Sequence, residues 1–85
     1  MAKIEMYMKP GCPFCHAAER LLDGKNAAYT TINILMRPQK RAEMIDRAQG
    51  RTTVPQIFVN DQHIGGFDDL NALNQRGKLD PLLTA

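Results

Sequence analysis

The chain changes from a strand pattern to a helical pattern at a short loop next to both of its cysteines. Residues 4–8 alternate with the period of two that is typical of a strand, and the Lys9-Pro10-Gly11 loop ends this pattern. From Pro13 to Gly24 apolar residues recur at helical spacing, and the glycine closes the pattern as a C-cap does. Residues 28–34 are rich in β-branched and aromatic residues, which indicates a second strand. A crossover connection makes that strand parallel to the first, so the chain is predicted to begin with βαβ.

A second helix is predicted to begin at Pro38 and to end at Gly50. Its expected buried side consists of Ala42, Ile45 and Ala48. The charged residues around this stripe are expected to be mostly solvated: Arg37, Lys40, Arg41, Glu43 and Arg47.

The last third of the chain predicts a hairpin followed by a third helix. Residues 56–59 and 63–65 are the two strands, joined by a turn at 60–62. The third helix begins near Asp68 and Asp69, and a short apolar tail after it is expected to cap the core. The order βαβ and then ββα implies an α/β fold with a mixed sheet and helices on both faces. Ligands of open α/β sheets collect at the carboxyl ends of strands, where Cys12 lies.

Length and charge restrict the classes of protein that this chain can belong to. Its 85 residues predict one domain, spanning 1–85. The 11 basic and 9 acidic residues are interspersed, so neither nucleic acid nor a membrane is expected as a partner. No apolar run approaches the ~20 residues that span a bilayer, and Lys3 and Glu5 stand where a signal peptide would be apolar. We therefore expect a cytoplasmic protein.

The tetrapeptide Cys12-Pro13-Phe14-Cys15 is predicted to be a redox site because it stands at a helix start. There the sulfur of Cys12 faces unpaired backbone N–H groups and the positive end of the helix dipole, which favour a thiolate. A thiolate attacks disulfides. Cys15 lies one turn deeper on the same face, so a disulfide between the two can form and break with little backbone movement.

The alternative readings of the two cysteines are an incidental pair of thiols and a zinc site. A structural zinc ion takes about four ligands. Beyond the cysteines, only His16 and His63 are offered as candidates, and they are expected to face solvent on a helix and on a strand surface, respectively. No metal is therefore expected.

Three separate segments, 9–15, 53–55 and 65–69, together resemble the glutaredoxin family. The similarity extends nearly end to end and includes 51–58 and 79–83, as in small bacterial dithiol glutaredoxins of the glutaredoxin 3 type. It implies a thioredoxin-like fold, a four-stranded mixed sheet flanked by helices in the order βαβαββα. It also implies a glutathione-dependent thiol–disulfide oxidoreductase, with Cys12 as the nucleophile and Cys15 as the resolving thiol.

The resemblance further implies a glutathione groove between the three segments. The family places Pro55 in cis, which turns the N–H and C=O of Val54 toward the cysteine moiety of glutathione. Gly66 permits close approach, and the helix start at Phe67 to Asp69 offers N–H groups to the γ-glutamyl carboxylate while an Asp side chain takes the ammonium. The remaining implied contacts come from Phe14, Thr53 and, for the glycine carboxylate, Lys9 with Arg37 or Arg51 as helpers.

Two residues depart from the commonest family pattern. Phe14 replaces a tyrosine, and Phe67 stands where many relatives carry a third cysteine. The lost hydroxyl removes one hydrogen bond near the sulfur or the ligand, so we expect a changed rate and an unchanged reaction. The lost thiol removes a side route to oxidation.

The partners implied by the resemblance are glutathione and disulfide-bonded or glutathionylated proteins, with ribonucleotide reductase among the candidates. The protein itself is expected to be a monomer. Two other functions stay open at this point. One is a redoxin reduced by thioredoxin reductase. The other is a carrier in which two chains hold a [2Fe-2S] cluster through Cys12, although Pro13 resembles the catalytic dithiol members more than the carriers.

Overall fold

The computed structural model describes residues 2–84 and contains four strands and four helices within that range. In chain order they are β1 (Ile4–Met8), α1 (Pro13–Gly24), β2 (Thr30–Asn33), α2 (Pro38–Arg47), β3 (Gln56–Val59), β4 (Gln62–Gly65), α3 (Phe67–Gln75) and α4 (Leu79–Leu83). The strands form one sheet in the order β2-β1-β3-β4, in which β1 pairs parallel to β2 and the other two pairings are antiparallel. The predicted βαβ and ββα halves and the thioredoxin-like mixed sheet are confirmed.

The central strand β1 contributes side chains to a separate core on each face of the sheet. Met6 packs with Leu22 of α1 and Leu70 of α3 on one face. Tyr7 packs with Met44 of α2 and Phe58 of β3 on the other. Because neighbouring strand residues point to opposite faces, the predicted alternation of β1 supplies both cores.

The buried side of α2 differs from the prediction. Met44 and Ala48 are buried, Ile45 is half-buried and Ala42 is exposed. Met44 and Ala48 are four residues apart and therefore share one face of the helix. Ala42 lies about 200° around the helix from Met44, which places it on the opposite face.

Two charged residues of α2 that were expected to be solvated bind a buried tyrosine instead. The hydroxyl of Tyr7 donates to Glu43 Oε2, and Arg47 Nη1 donates to that hydroxyl at 2.8 Å. Arg47 also pairs with Glu5 at 3.0 Å, and its guanidinium lies 4.1 Å from the ring centre of Phe58. A buried phenol requires hydrogen-bond partners, so the burial of Tyr7 draws both α2 side chains inward.

The second strand is shorter than predicted because its partner sets its length. Residues 30–33 pair with residues 5–8 of β1, and residues 28 and 29 lie before the ladder. The predicted apolar tail is the short helix α4, whose Leu79 is fully buried. At the end of β1 opposite to Cys12, the N–H of Ala2 donates to the carbonyl oxygen of Leu83 at 3.3 Å. No helix within residues 2–84 is long and apolar enough to cross a membrane.

Candidate active site

The sulfur of Cys12 is the N-terminal cap of α1. Cys12 has an extended backbone, Pro13 begins the helix, and the Sγ of Cys12 accepts a hydrogen bond from the N–H of Cys15 at 3.2 Å. Sulfur thus takes the position at which an oxygen of Ser, Thr or Asp usually caps a helix. A backbone N–H thus points at the sulfur of Cys12, as was predicted from its place at the helix start.

The two thiols have different environments. Both cysteines are unpaired, and Cys12 is 7% exposed whereas Cys15 is 0% exposed. Burial, followed by the hydrogen bond with Cys12, raises the pKa of the Cys15 thiol to about 12. Cys15 is therefore held as a neutral thiol behind Cys12, which is the thiol nearer the surface.

The backbone of Val54 lies beside the sulfur of Cys12. The Val54-Pro55 peptide bond is cis, as the resemblance implied, and the carbonyl oxygen of Val54 lies 3.8 Å from Cys12 Sγ. Thr53 and Val54 separate two surface grooves, because both residues line each of them.

The first groove collects most of the predicted site residues. Its volume is about 270 Å³. The predicted residues that line it are Phe14, Thr53, Val54, Pro55, Gly66, Phe67, Asp68 and Asp69. Arg51 lines the same groove and pairs there with Asp69.

The two aspartates at the start of α3 have different surroundings. Asp69 Oδ2 accepts from the N–H of Gly66 at 2.9 Å and from Arg51 Nη1 at 3.0 Å. These two donors lower the pKa of the Asp69 carboxyl. Asp68 is exposed, and within residues 2–84 its side chain has no hydrogen-bond or ion-pair partner. Asp68 is thus the carboxylate that is available to a ligand, whereas Asp69 caps the helix.

The backbone conformation and the close packing require a glycine at position 65 more than at position 66. Gly65 has a φ of +120°, and a side chain on it would collide with the carboxylate of Asp69 and with Arg51. A Cβ on Gly66 would meet the carbonyl oxygen of Pro55 at 3.5 Å, an ordinary contact. The expectation that Gly66 lets a ligand approach the backbone closely stays a prediction, because the crowding within the protein is at Gly65.

The second groove contains Cys12 and is basic. Lys9 lines this second groove and not the first, together with Arg41 of α2. The two residues named as helpers of Lys9 are elsewhere: Arg51 pairs with Asp69 in the first groove, and Arg37 lines neither groove. Arg41 follows Arg37 by one helical turn, and helical spacing was the only signal in the sequence that could have indicated it.

A buried glutamine that the sequence reasoning missed connects β4 to the loop that carries Val54. Gln56 is 0% exposed, and its Nε2 donates to the carbonyl oxygen and to the hydroxyl of Thr53 at 3.0 and 3.3 Å. Because that amide nitrogen is the donor, its Oε1 accepts from His63 Nε2 at 2.7 Å. A polar residue in the otherwise apolar strand Gln56–Val59 was the available signal.

The two histidines do not assemble a metal site. His16 is exposed and pairs with Glu19 at 3.3 Å, as expected for a solvent-facing residue. His63 was expected on the strand surface but is half-buried against the ring of Phe58, and burial, followed by Arg51, lowers its pKa. Among residues 2–84 no three His, Cys, Asp or Glu side chains are grouped to hold a metal ion.

Phe14 and Phe67, the two residues that depart from the commonest family pattern, contact each other. The ring of Phe14 stacks on the ring of Phe67, with centroids 6.4 Å apart and planes 26° apart. Both rings line the first groove, so together they form part of its apolar wall.

Comparison with known proteins finds one family. A sequence model described as Glutaredoxin matches residues 4–64. Glutaredoxin 3 of Escherichia coli (strain K12) is 55% identical over 83 residues, which cover 98% of this chain and 99% of that protein.

Solved structures with similar folds carry the same family name. A crystal structure of a buckwheat glutaredoxin–glutathione complex superposes with a TM-score of 0.90 at 30% identity, covering 98% of this chain and 77% of that one. The solution structure of glutaredoxin from Brucella melitensis has a TM-score of 0.85 at 48% identity, covering 98% and 89%.

Proposed function

Because this chain belongs to the glutaredoxin family and is a glutathione-dependent thiol–disulfide oxidoreductase, we propose that it reduces protein disulfides and glutathione mixed disulfides through Cys12 and Cys15. The observation that carries the proposal is the arrangement around Cys12. Its sulfur caps α1, the neutral thiol of Cys15 lies behind it, and the backbone of Val54 lies beside it.

The first reaction removes glutathione from a protein. The Cys12 thiolate attacks the glutathione sulfur of the mixed disulfide, the S–S bond breaks, and the protein thiolate leaves and takes up a proton. A second glutathione thiolate then attacks the glutathione sulfur bound to Cys12. Oxidised glutathione forms and the Cys12 thiolate is released, so Cys15 takes no part.

The second reaction reduces a disulfide within a protein. Cys12 forms a mixed disulfide with one substrate sulfur, and Cys15 attacks the sulfur of Cys12 at high effective concentration. The proton of Cys15 goes to the departing substrate thiolate. The resulting Cys12–Cys15 disulfide is reduced by two glutathione molecules, which become oxidised glutathione.

The two grooves supply complementary contacts for the ends of glutathione. In this proposal the exposed Asp68 takes the γ-glutamyl ammonium, and the N–H groups at the start of α3 face its carboxylate. The backbone of Val54 pairs with the cysteine moiety, and Lys9 takes the glycine carboxylate in the second groove. The buckwheat structure supports this, because a relative with this fold was crystallised as a glutathione complex.

We propose that the protein is a cytoplasmic, monomeric reductant that consists of a single domain. Its substrates are disulfide-bonded and glutathionylated proteins, with ribonucleotide reductase as one candidate, and its chemistry requires no metal. The redoxin and [2Fe-2S]-carrier alternatives are not favoured, because family membership and the geometry of the dithiol agree with glutathione-dependent reduction.

A coupled assay tests the proposal. Reduction of a glutathione mixed disulfide is followed as NADPH consumption with glutathione and glutathione reductase, and thioredoxin reductase without glutathione is the control. We expect turnover only in the first mixture. Equal turnover with thioredoxin reductase would contradict the proposal. So would an iron–sulfur absorbance, in anaerobically purified protein, strong enough to show that Cys12 of most molecules binds a cluster.

A further inference from the structure

Two large apolar side chains are exposed next to each other at the turn between β2 and α2. Leu35 is 63% exposed and Met36 is 80% exposed. Within residues 2–84 the only other large apolar side chain exposed to this degree is Phe14, at 59%, in the C-x-x-C tetrapeptide. Leu35 lines the same groove as Cys12. Exposed apolar side chains clustered beside a reactive atom indicate a surface that another molecule covers.

The turn that presents these side chains is ordered by hydrogen bonds. The Oδ1 of Asn33 accepts from the N–H of Leu35 at 2.9 Å and from the N–H of Met36 at 3.1 Å. The N–H of Arg37 donates to the carbonyl oxygen of Asn33 at 3.2 Å. Since the backbone is already fixed, covering the two side chains would cost little further ordering of the chain.

The charge of the surrounding groove selects the kind of molecule that fits. Lys9 and Arg41 line it, no Asp or Glu among the described residues does, and neither base has an ion-pair partner within residues 2–84. The groove measures about 630 Å³, whereas the first groove measures about 270 Å³. The surface therefore suits an occupant that carries both apolar and acidic side chains.

We propose that Leu35, Met36 and Arg41 form a docking surface for the polypeptide of a disulfide-bonded protein substrate. The segment it recognises has an apolar side chain and a carboxylate within a few residues of the cysteine that Cys12 attacks. This inference rests on the proposed function and names the class of protein substrate. While the substrate sulfur is at Cys12, the adjoining residues of the substrate cover Leu35 and Met36, and the carboxylate pairs with Arg41.

The test compares substrates that differ only beside the cysteine. Two peptides contain the same intramolecular disulfide, one flanked by Leu and Glu and the other by Ser and Lys; the third substrate is a small glutathione mixed disulfide. The variants are the double variant Leu35→Ser/Met36→Ser, Arg41→Gln and, as a matched control, Arg20→Gln, since Arg20 is exposed two turns along α1. All are measured in the glutathione reductase assay.

We expect the unsubstituted protein to prefer the Leu/Glu peptide by about tenfold in kcat/KM. The double variant and Arg41→Gln should each lose most of this preference through KM, while Arg20→Gln keeps it. The double variant and Arg20→Gln should both reduce the small mixed disulfide at the unsubstituted rate. Circular dichroism of the double variant verifies its fold, which exposed serines should not disturb.

Three results would overturn the inference. The first is equal use of both peptides by the unsubstituted protein. The second is an unchanged preference in the folded double variant. The third is an equal rise of KM for the small mixed disulfide, which would place Leu35 and Met36 in the glutathione site. A protein that does not reduce the small mixed disulfide at all would instead overturn the proposed function, so the two failures are distinguishable.

Discussion

The carbonyl oxygen of Val54 lies 3.8 Å from the Sγ of Cys12, and Val54 lines both surface grooves. A protonated Cys12 can donate to this oxygen, whereas a thiolate has no proton to donate and is repelled by it. The same carbonyl is therefore free for a glutathione N–H once Cys12 is ionised. Binding of glutathione and formation of the nucleophile are thus expected to favour each other.

Substituting the two cysteines separately should distinguish their roles. Cys12→Ser is expected to abolish both reactions, because it removes the attacking sulfur. Cys15→Ser should keep deglutathionylation but lose most protein-disulfide reduction, at least about a hundredfold, because no intramolecular thiol resolves the mixed disulfide. The measurement is kcat/KM of both variants on a glutathionylated peptide and on a disulfide-bonded protein.

A trapped intermediate provides the control for this comparison. Cys15→Ser should accumulate a mixed disulfide with the protein substrate that mass spectrometry detects. If Cys15→Ser is as inactive as Cys12→Ser on the glutathionylated peptide, the assignment of nucleophile and resolving thiol is wrong.

Alkylation should reveal the protected state of Cys15. Its pKa is raised to about 12, mainly by burial, so its thiolate fraction at pH 8 is very small. In the reduced protein, iodoacetamide at pH 8 should modify Cys12 and leave Cys15 unmodified, as peptide mapping by mass spectrometry would show. The unfolded protein in guanidinium is the matched control, in which both thiols should react alike. Equal reaction in the folded protein would contradict the burial argument.

Asp68 and Asp69 should respond oppositely to substitution by alanine. Asp68→Ala is expected to raise KM for glutathione about tenfold without changing stability, because it removes one exposed charged contact. Asp69→Ala should cost about 1 kcal/mol of unfolding free energy or less, because it removes a helix cap that is 46% exposed. Urea titration and steady-state kinetics on both variants verify this; a larger loss of stability in Asp68→Ala would reverse the assignment.

The contribution of Asp69 to stability should depend on pH. Its pKa is lowered in the folded protein, first by the N–H of Gly66 and then by Arg51. A depressed pKa contributes stability above the unfolded value of about 3.9, and the contribution disappears as the pH falls through the folded value. The difference in unfolding free energy between the unsubstituted protein and Asp69→Ala should therefore be constant from pH 5 to 7 and shrink below about pH 4. A difference that grows on acidification would contradict this.

Gln56 should act on glutathione binding through Thr53. Gln56→Leu is expected to destabilise the fold by about 1 kcal/mol, because it removes the hydrogen bonds from the buried Gln56 side chain to the exposed Thr53 and the half-buried His63. It should also raise KM for glutathione more than it lowers kcat, since Thr53 precedes the Val54 backbone. His63→Gln keeps a donor for Gln56 and serves as the matched control for His63→Leu. Identical kinetics of these two His63 variants would show that the hydrogen bond has no part in the site.

Periodicity predicted the elements of the fold because most of their side chains obey it. The bounds of α1 and β3 are as expected, since apolar spacing, Pro13 and Gly24 set them locally. The predicted buried face of α2 was right at Ala48 and wrong at Ala42, because Met44 packs against Tyr7 on this face of the sheet. The hydroxyl of Tyr7 also draws Glu43 and Arg47 inward. Tyr7 is 36 positions from Glu43 and 40 positions from Arg47. Contacts between residues so far apart in the sequence leave no periodic pattern in it.

Three sequence segments predicted which residues belong to the site, but they did not predict the separate roles of those residues. Resemblance indicated that Asp68 and Asp69 belong together, and only the fold shows that Asp69 is held by Gly66 and Arg51 while Asp68 is exposed. Arg41 was expected to be solvated and His63 to lie on a strand surface. The packing of α2 places Arg41 in the groove of Cys12, and the pairing of β4 with β3 places His63 beside Gln56, neither of which local sequence patterns indicate.

The backbone hydrogen bond between Ala2 and Leu83 determines where the chain can be joined, reopened or attached to a surface. It brings the two ends of the described chain together at the end of β1 away from Cys12. A short linker could join these ends, and the exposed Asn60–Asp61 turn offers a place to open the circle. The same region also suits tethering to a sensor surface or a fluorescent reporter, because the immobilised face would be opposite to the reactive thiol.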